Sequence, residues 1–312
     1  SVGYMTWCSS SGVCGSVGML PGVRPSPDVS FGAGAQSGAA LFRGVGTGSP
    51  WSAPRSEGMT GGSIGPDPTP ADQLVVDPFA RSTAYRQGSG FWQVISDAGQ
   101  TSTGSIRPIQ LVSLAQSGTT IAVLESGTSV ALAIWPDGGT STRSLSSVTE
   151  AALTSDGVIA HLASSAGSFV VTRRIDANAV ASTPMPVALA SPPQRAPSIA
   201  WAFDRWLIVF EEWDGASWLQ RSLAITPTGS IVTQPGVNLP GTSPRLLTAP
   251  DGGVFLRTTA GGAMLFEVTS VTPLTLVMRA SLTQDAHGGA VTNSGPLWWS
   301  TRGPYVNAVE GI

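Results

Sequence analysis

Residues Ser198 to Val232 read SIAWAFDRWLIVFEEWDGASWLQRSLAITPTGSIV. The apolar run Trp206 to Phe210 (WLIVF) is preceded by a polar step at Asp204-Arg205 and followed by Asp214-Gly215, and a second run, WLQRSLAI, ends at TPTG. Short apolar runs rich in Val, Ile, Leu and Trp between clusters of Gly, Asp, Ser, Thr and Pro are the signature of strands and turns. From Leu111 onward the chain repeats this pattern, and no segment of a dozen residues holds an i, i+3, i+4 apolar period without an interrupting Gly or Pro. The stretch therefore predicts four strands joined by three turns.

The same order recurs in PRLLTAPDGGVFLRTTAGGAMLFEVTSVTPLTLV from Pro244 and in EAALTSDGVIAHLASSAGSFVVTRRIDANAVAS from Glu150. Taking the first turn as the marker, the repeats anchor near Gly118, Asp156, Asp204 and Asp251, separated by 38, 48 and 47 residues. A further unit is read near Gly295, with weaker ones near Gly88 and Gly38.

Units of about 40 to 50 residues with four short strands each resemble the blades of β-propeller repeat proteins. The resemblance implies an all-β fold of six or seven four-stranded blades. Two familiar blade signatures are absent: no Trp-Asp pair closes a unit, since Trp213-Asp214 falls in mid-unit, and TSDGVIAHL from Thr154 lacks the spacing and Trp of an Asp-box. The last unit reaches Ile312 after about three strands, so SVGYMTW at the N-terminus is expected to supply the missing one and clasp the ring. Residues 1–14 are assigned to that strand and a disulfide loop. Residues 15–78, dense in Gly, Pro and Ser, are a degenerate blade, an irregular wrapping segment or a linker. Residues 79–312 carry the remaining blades.

Composition narrows the classes of function. Charged residues are 11% of the 312, against roughly 25% in ordinary soluble domains. All 16 basic residues are Arg, scattered singly except at Arg173-Arg174, and the net charge is −3, so no basic patch points to nucleic acid. No apolar run approaches the ~18 residues of a membrane-spanning helix. Cys8 and Cys14, in TWCSSSGVCG, fit a local disulfide, which points to export and an extracellular, periplasmic or cell-surface location; two reduced buried thiols are the alternative. With Ser1 as its first residue, the chain is read either as having lost a signal peptide or as numbered from inside a longer precursor. No zinc spacing joins the cysteines to His161 or His287, and no cofactor is expected. The Gly-rich runs lack the Lys of a phosphate-binding loop, and GAQSG at Gly34 to Gly38 is not a nucleophile elbow.

FEEWDGASW, from Phe210 to Trp218, gathers three acids and two tryptophans. Asp214-Gly215 between strands predicts a type I′ hairpin turn. Glu211 and Glu212, as strand neighbours, point to opposite faces, so a glycosidase pair needs a second carboxyl from another unit, with Glu125, Glu150, Glu267 and Asp285 available. Trp213 and Trp218, and likewise Trp298 and Trp299 in GPLWWST, are either exposed ligand platforms or packing between sheets. No catalytic residue is assigned. The leading expectation is a non-catalytic exported propeller that binds other protein subunits as a structural or accessory part of an assembly, since so few charges resemble the centre of an interface. Binding or cleavage of carbohydrate is the second reading, and a domain excised from a larger protein the third.

Overall fold

The computed structural model describes the backbone of residues 3–5, 18–20, 30–33, 38–42, 51–54, 62–63, 71–76, 82–87, 91–96, 99–125, 130–145, 148–163, 169–186, 193–232, 236–237, 239, 241–248, 252–259, 262–282, 288–292, 295–302 and 305–310, with side chains chiefly between 101 and 281. Among the described residues the regular elements are all β-strands, arranged in seven sheets. In chain order these are β1 (Gly3–Met5) and β2 (Gly18–Leu20); then β3 (Ser30–Ala33), β4 (Gly38–Phe42), β5 (Trp51–Pro54) and β6 (Gly62–Ser63); then β7 (Ala71–Val76), β8 (Ser82–Gln87), β9 (Trp92–Ser96) and β10 (Gly99–Gly104). The next two sheets are β11 (Arg107–Ser113), β12 (Thr120–Glu125), β13 (Val130–Ile134) and β14 (Thr140–Ser144), and β15 (Val148–Leu153), β16 (Val158–Ala163), β17 (Phe169–Arg174) and β18 (Met185–Pro186). They are followed by β19 (Gln194–Ala202), β20 (Arg205–Trp213), β21 (Trp218–Ile225) and β22 (Gly236–Val237), and by β23 (Thr242–Thr248), β24 (Val254–Thr259), β25 (Ala263–Val271) and β26 (Leu274–Leu282). Finally β27 (Gly288–Thr292), β28 (Gly295–Arg302) and β29 (Tyr305–Glu310) join β1 and β2.

The chain divides into two compact units. Unit one comprises Ser1–Arg107, Ala249–Asp251 and Gln284–Ile312. Its five-stranded sheet runs β2-β1-β29-β28-β27, with β1 parallel to β29 at Tyr4 opposite Tyr305, so the N-terminal strand pairs with the C-terminal one. The sheet β3 to β6 lies within the Gly, Pro and Ser-rich residues 15–78, and β7 pairs with β8, so the boundary drawn at 78/79 falls between two strands of one sheet. Cys8 and Cys14 lie outside the described residues.

Unit two, Pro108–Thr248 with Gly252–Thr283, contains the sheets β11–β14, β15–β18, β19–β22 and β23–β26, each an antiparallel meander. The run WLIVF explains how they stack. A strand with one wet face alternates apolar and polar residues, whereas Trp206 to Phe210 are all buried, which requires a sheet covered on both sides. Trp206, Ile208 and Phe210 pack on Val158 and Val170 of the preceding sheet. Leu207 packs with Val254 and Val268, and Val209 with Leu256 and Phe266, of the following sheet. Val112, Ile121 and Ala133 meet Leu153 and Ile175 in the same way one sheet earlier. Each fully buried Ile, Leu or Phe contributes about 1.5 to 3 kcal/mol. The fourth strands have less to bury: β14 is TSTRS and largely exposed, and β18 and β22 are two residues long.

Two backbone devices recur. The first turn of each sheet of unit two has residues in the left-handed region, and the positions anticipated from sequence supply them: Gly118, Gly157 beside Asp156, Phe203-Asp204, and Gly252 beside Asp251. Gly157 is obligatory, because a Cβ there would stand 2.3 Å from the Ile175 carbonyl oxygen. The second device is a bulge in the first strand, beginning at Val148, Arg195 and Thr242, which are 47 residues apart. In the last two, Ala196 and Ser243 adopt positive φ, 53° in each.

At Phe203 (φ 50°) and Asp204 (φ 56°) both central residues of a two-residue turn are left-handed without a glycine, and Phe203 is exposed. Replacing Phe203-Asp204 by Asn-Gly, the pair that such a turn favours, is expected to raise the unfolding free energy by about 1 kcal/mol. A urea midpoint that rises with an unchanged slope would show it. An unchanged midpoint would mean that these two residues carry no backbone strain.

Candidate functional site

Strand alternation divides FEEWDGASW between two inter-sheet faces. Cross-strand pairing sets Arg195 opposite Glu211, Glu211 opposite Gln220 and Trp213 opposite Trp218, so these side chains share the face turned toward β23–β26. Gln194 lies opposite Glu212, and Phe210 opposite Arg221, on the face turned toward β15–β18.

Glu211 is 2% exposed and fully committed. It accepts hydrogen bonds from Arg195 Nε at 2.6 Å and from the backbone N–H of Ser243, at the bulge of β23, at 2.9 Å. Glu212 accepts from Arg221 Nε at 3.0 Å and more weakly from Gln194 Nε2 at 3.5 Å, while Gln194 Oε1 accepts from the Val170 N–H at 2.7 Å. Thus Glu211 ties its sheet to the following one, and Glu212 steadies the glutamine that ties it to the preceding one. Glu150 acts like Glu211 one sheet earlier: it accepts from the Ala196 N–H, at the bulge of β19, at 2.5 Å.

Trp213 and Trp218 are half-buried at the end of the sheet, with ring centroids 5.5 Å apart. The Arg195 guanidinium lies over the Trp218 ring, 3.9 Å from its centroid, within cation–π range. Glu211 therefore positions Arg195, and Arg195 covers one face of Trp218.

The turn between them differs from the expected type I′ hairpin. The connection has four residues, 214–217, and only Gly215 has positive φ. Asp214 organises it: its N–H donates to the Ser217 carbonyl at 3.0 Å, and its Oδ1 accepts from the N–H groups of Ala216 and Ser217 at 2.8 and 2.7 Å. A carboxylate that bonds its own backbone two and three residues on stabilises a longer loop than the Asp-Gly pair alone signals.

The other candidates fall elsewhere. Trp298 and Trp299 occupy adjacent positions of β28 in unit one, paired with Gly289 and Gly288. Glu267 forms an ion pair with Arg279. Asp285 and His287 lie outside the described residues, and the side chains of Glu125 and His161 are not among those described. Among the described residues no group of three or more His, Cys, Asp or Glu is placed to hold a metal ion.

Residue-type reasoning overlooked Arg195, Arg221, Gln194 and Ser243. The signal that could have found them is the Pro197 and Pro244 pair, also 47 residues apart, each following a bulge residue that receives a carboxylate. With every carboxylate in this set held by a guanidinium or a backbone N–H, the arrangement offers an aromatic and guanidinium surface and no unengaged acid.

No protein-family model matches the chain, and no curated protein matches it in sequence. Solved structures do resemble it. Streptogramin B lyase aligns with a TM-score of 0.58 at 14% identity over 89% of this chain and 92% of that one. A protein from Lactobacillus plantarum aligns with a TM-score of 0.55 at 12% identity over 96% and 92%. A puromycin-hydrolyzing peptidase of Mycobacterium tuberculosis reaches 0.58 at 12% identity over 90% of this chain and 52% of that chain, so this chain spans about half its length. The shared feature is a propeller-like all-β architecture, and at these identities the likeness carries the fold alone.

The Ala216 N–H first and the Ser217 N–H second hold the Asp214 carboxyl below the usual carboxylate range. A depressed folded-state pKa contributes stability that is present above the unfolded-state value and is lost as pH falls through the folded one. An NMR titration is expected to give Asp214 a midpoint below the ordinary ~3.9, with the Ala216 and Ser217 amides shifting at that same pH. An ordinary midpoint would contradict the loop geometry.

Proposed function

We propose that the chain is a non-catalytic β-propeller that binds other protein subunits as a structural or accessory part of an exported, surface or extracellular assembly. In this reading the seven sheets are seven blades of a closed ring, residues 15–78 contribute a degenerate blade, and pairing of β1 with β29 closes the ring. Cys8 and Cys14 form the disulfide of an oxidising compartment.

The observation that carries the proposal is the Trp213, Trp218 and Arg195 cluster. Trp and Arg are the residues most enriched at the energetic centres of protein interfaces, and here they are preorganised by the buried Glu211. A surface so poor in charge has the composition of an interface core. Carbohydrate binding or cleavage is the second reading, favoured by the part-exposed indoles. The Arg195 guanidinium over Trp218 weighs against a sugar stacked on that ring face, and the engaged carboxylates weigh against cleavage.

The mass of the native particle, measured by light scattering on material isolated from its source, is expected to lie far above 31.9 kDa with fixed protein partners. Trp213→Ala with Trp218→Ala is expected to weaken partner retention on the order of 30-fold while the fold persists. A monodisperse monomer that captures glycans instead would overturn the proposal in favour of the second reading.

A further inference from the structure

Three guanidiniums and two carboxylates of unit two come together where β19 and β23 begin. Arg195 is taken by Glu211, and Glu150 by the Ala196 N–H. Arg245 approaches the carbonyl oxygens of Ala196 and Pro197 through one Nη, each at a long 3.4 Å. Directly across the strand pair from Arg245 stands Arg257 of β24. Like charges at opposed positions destabilise a sheet.

Arg257 is the anomalous member. Its Nε is sealed from solvent and has no hydrogen-bond partner among the described residues. Burial, with the charge of Arg245 second, pushes its pKa down to about 10, so it remains a cation at neutral pH. Arg245 is exposed, yet desolvation is the largest influence on it and lowers its pKa, opposed by Glu150 and Glu211.

A sealed N–H of a charged group that is left without an acceptor is destabilising until an acceptor reaches it. Among the described residues three cations stand against two anions here, and a guanidinium fork fits a planar carboxylate with two parallel hydrogen bonds. We infer that Arg257, with Arg245 opposite it across the strand pair, forms a binding site for a monocarboxylate group, carried by a small organic acid or by an acidic residue or C-terminus of a bound protein. The site borders the tryptophan cluster through Arg195, but it rests on Arg257 and Arg245 and does not depend on the subunit-binding proposal.

The test is a thermal-unfolding titration of the whole chain with sodium acetate against sodium chloride at equal ionic strength, with inorganic phosphate in parallel. Acetate is expected to raise Tm by a few degrees beyond chloride, by mass action on the folded state. Arg257→Met is expected to fold with a Tm at or above the parent in chloride and to lose the acetate response. Should that variant fail to fold, the Arg257 Nε–Hε resonance of the parent protein gives the same answer, since it is expected to move with acetate and not with chloride. A response to phosphate alone, a stationary resonance, or a destabilised Arg257→Met with no acetate effect in the parent would overturn the site. Mass spectrometry of acids released on denaturing the source-isolated protein distinguishes the origins: a stoichiometric small acid marks a free ligand, and none released, with acetate displacing the bound protein, marks a partner's carboxylate.

Discussion

The N–H of Ser243, turned out of the β23 ladder by a bulge, is satisfied by the buried carboxylate of Glu211 from the neighbouring sheet, and two successive sheet junctions of unit two are tied by contacts of this kind. A bulge leaves a backbone donor without its ladder partner, and inside a protein that donor must be met by something. Here the partner belongs to the sheet before, so meeting the hydrogen bond also fixes how the two sheets abut. Glu150 repeats the arrangement at Ala196, 47 residues earlier than Ser243. Apolar burial presses the sheets together without direction. The carboxylate ties supply the direction.

A second consequence concerns where the few charges go. Glu211 with Arg195, Glu212 with Arg221, and Glu267 with Arg279 are neutralised pairs within the chain. Arg is suited to such pairs, because its planar fork fixes the geometry and keeps its charge at any ordinary pH. What reaches the surface at the end of β20 and β21 is then the aromatic and guanidinium part of the set, Trp213, Trp218 and Arg195. Among the described residues Arg257 has no such pair, and its Nε is sealed from solvent.

The fold was legible in the sequence to the extent that its causes are local. WLIVF, buried on both faces, and the Gly or Asp turns near positions 118, 156, 204 and 251 follow from hydrophobic pattern and backbone stereochemistry, both of which a single sequence displays. The splitting of Glu211 from Glu212 follows from the two-residue period of a strand. Less was legible at the site, because its geometry depends on partners distant in the chain: Ser243 lies 32 residues from Glu211, and Arg245 lies 48 from Pro197. Asp214-Gly215 misled for a related reason. The dipeptide signals a tight hairpin only when the aspartate does not bond the backbone beyond it, and Asp214 bonds both Ala216 and Ser217. Phe203-Asp204 forms the tight turn instead, marked in the sequence by its place between apolar runs and not by a glycine.

Whether Glu211 is a structural tie or a reserved chemical group is decided most directly by the unfolding free energy of Glu211→Gln, which keeps the shape and an acceptor but removes the charge. As a tie to Arg195 and Ser243, its replacement lowers stability by about 1.5 to 3 kcal/mol, the worth of hydrogen bonds to a charged group. A variant as stable as the parent, or more so, would contradict that role and mark Glu211 as a residue kept for function at the expense of stability.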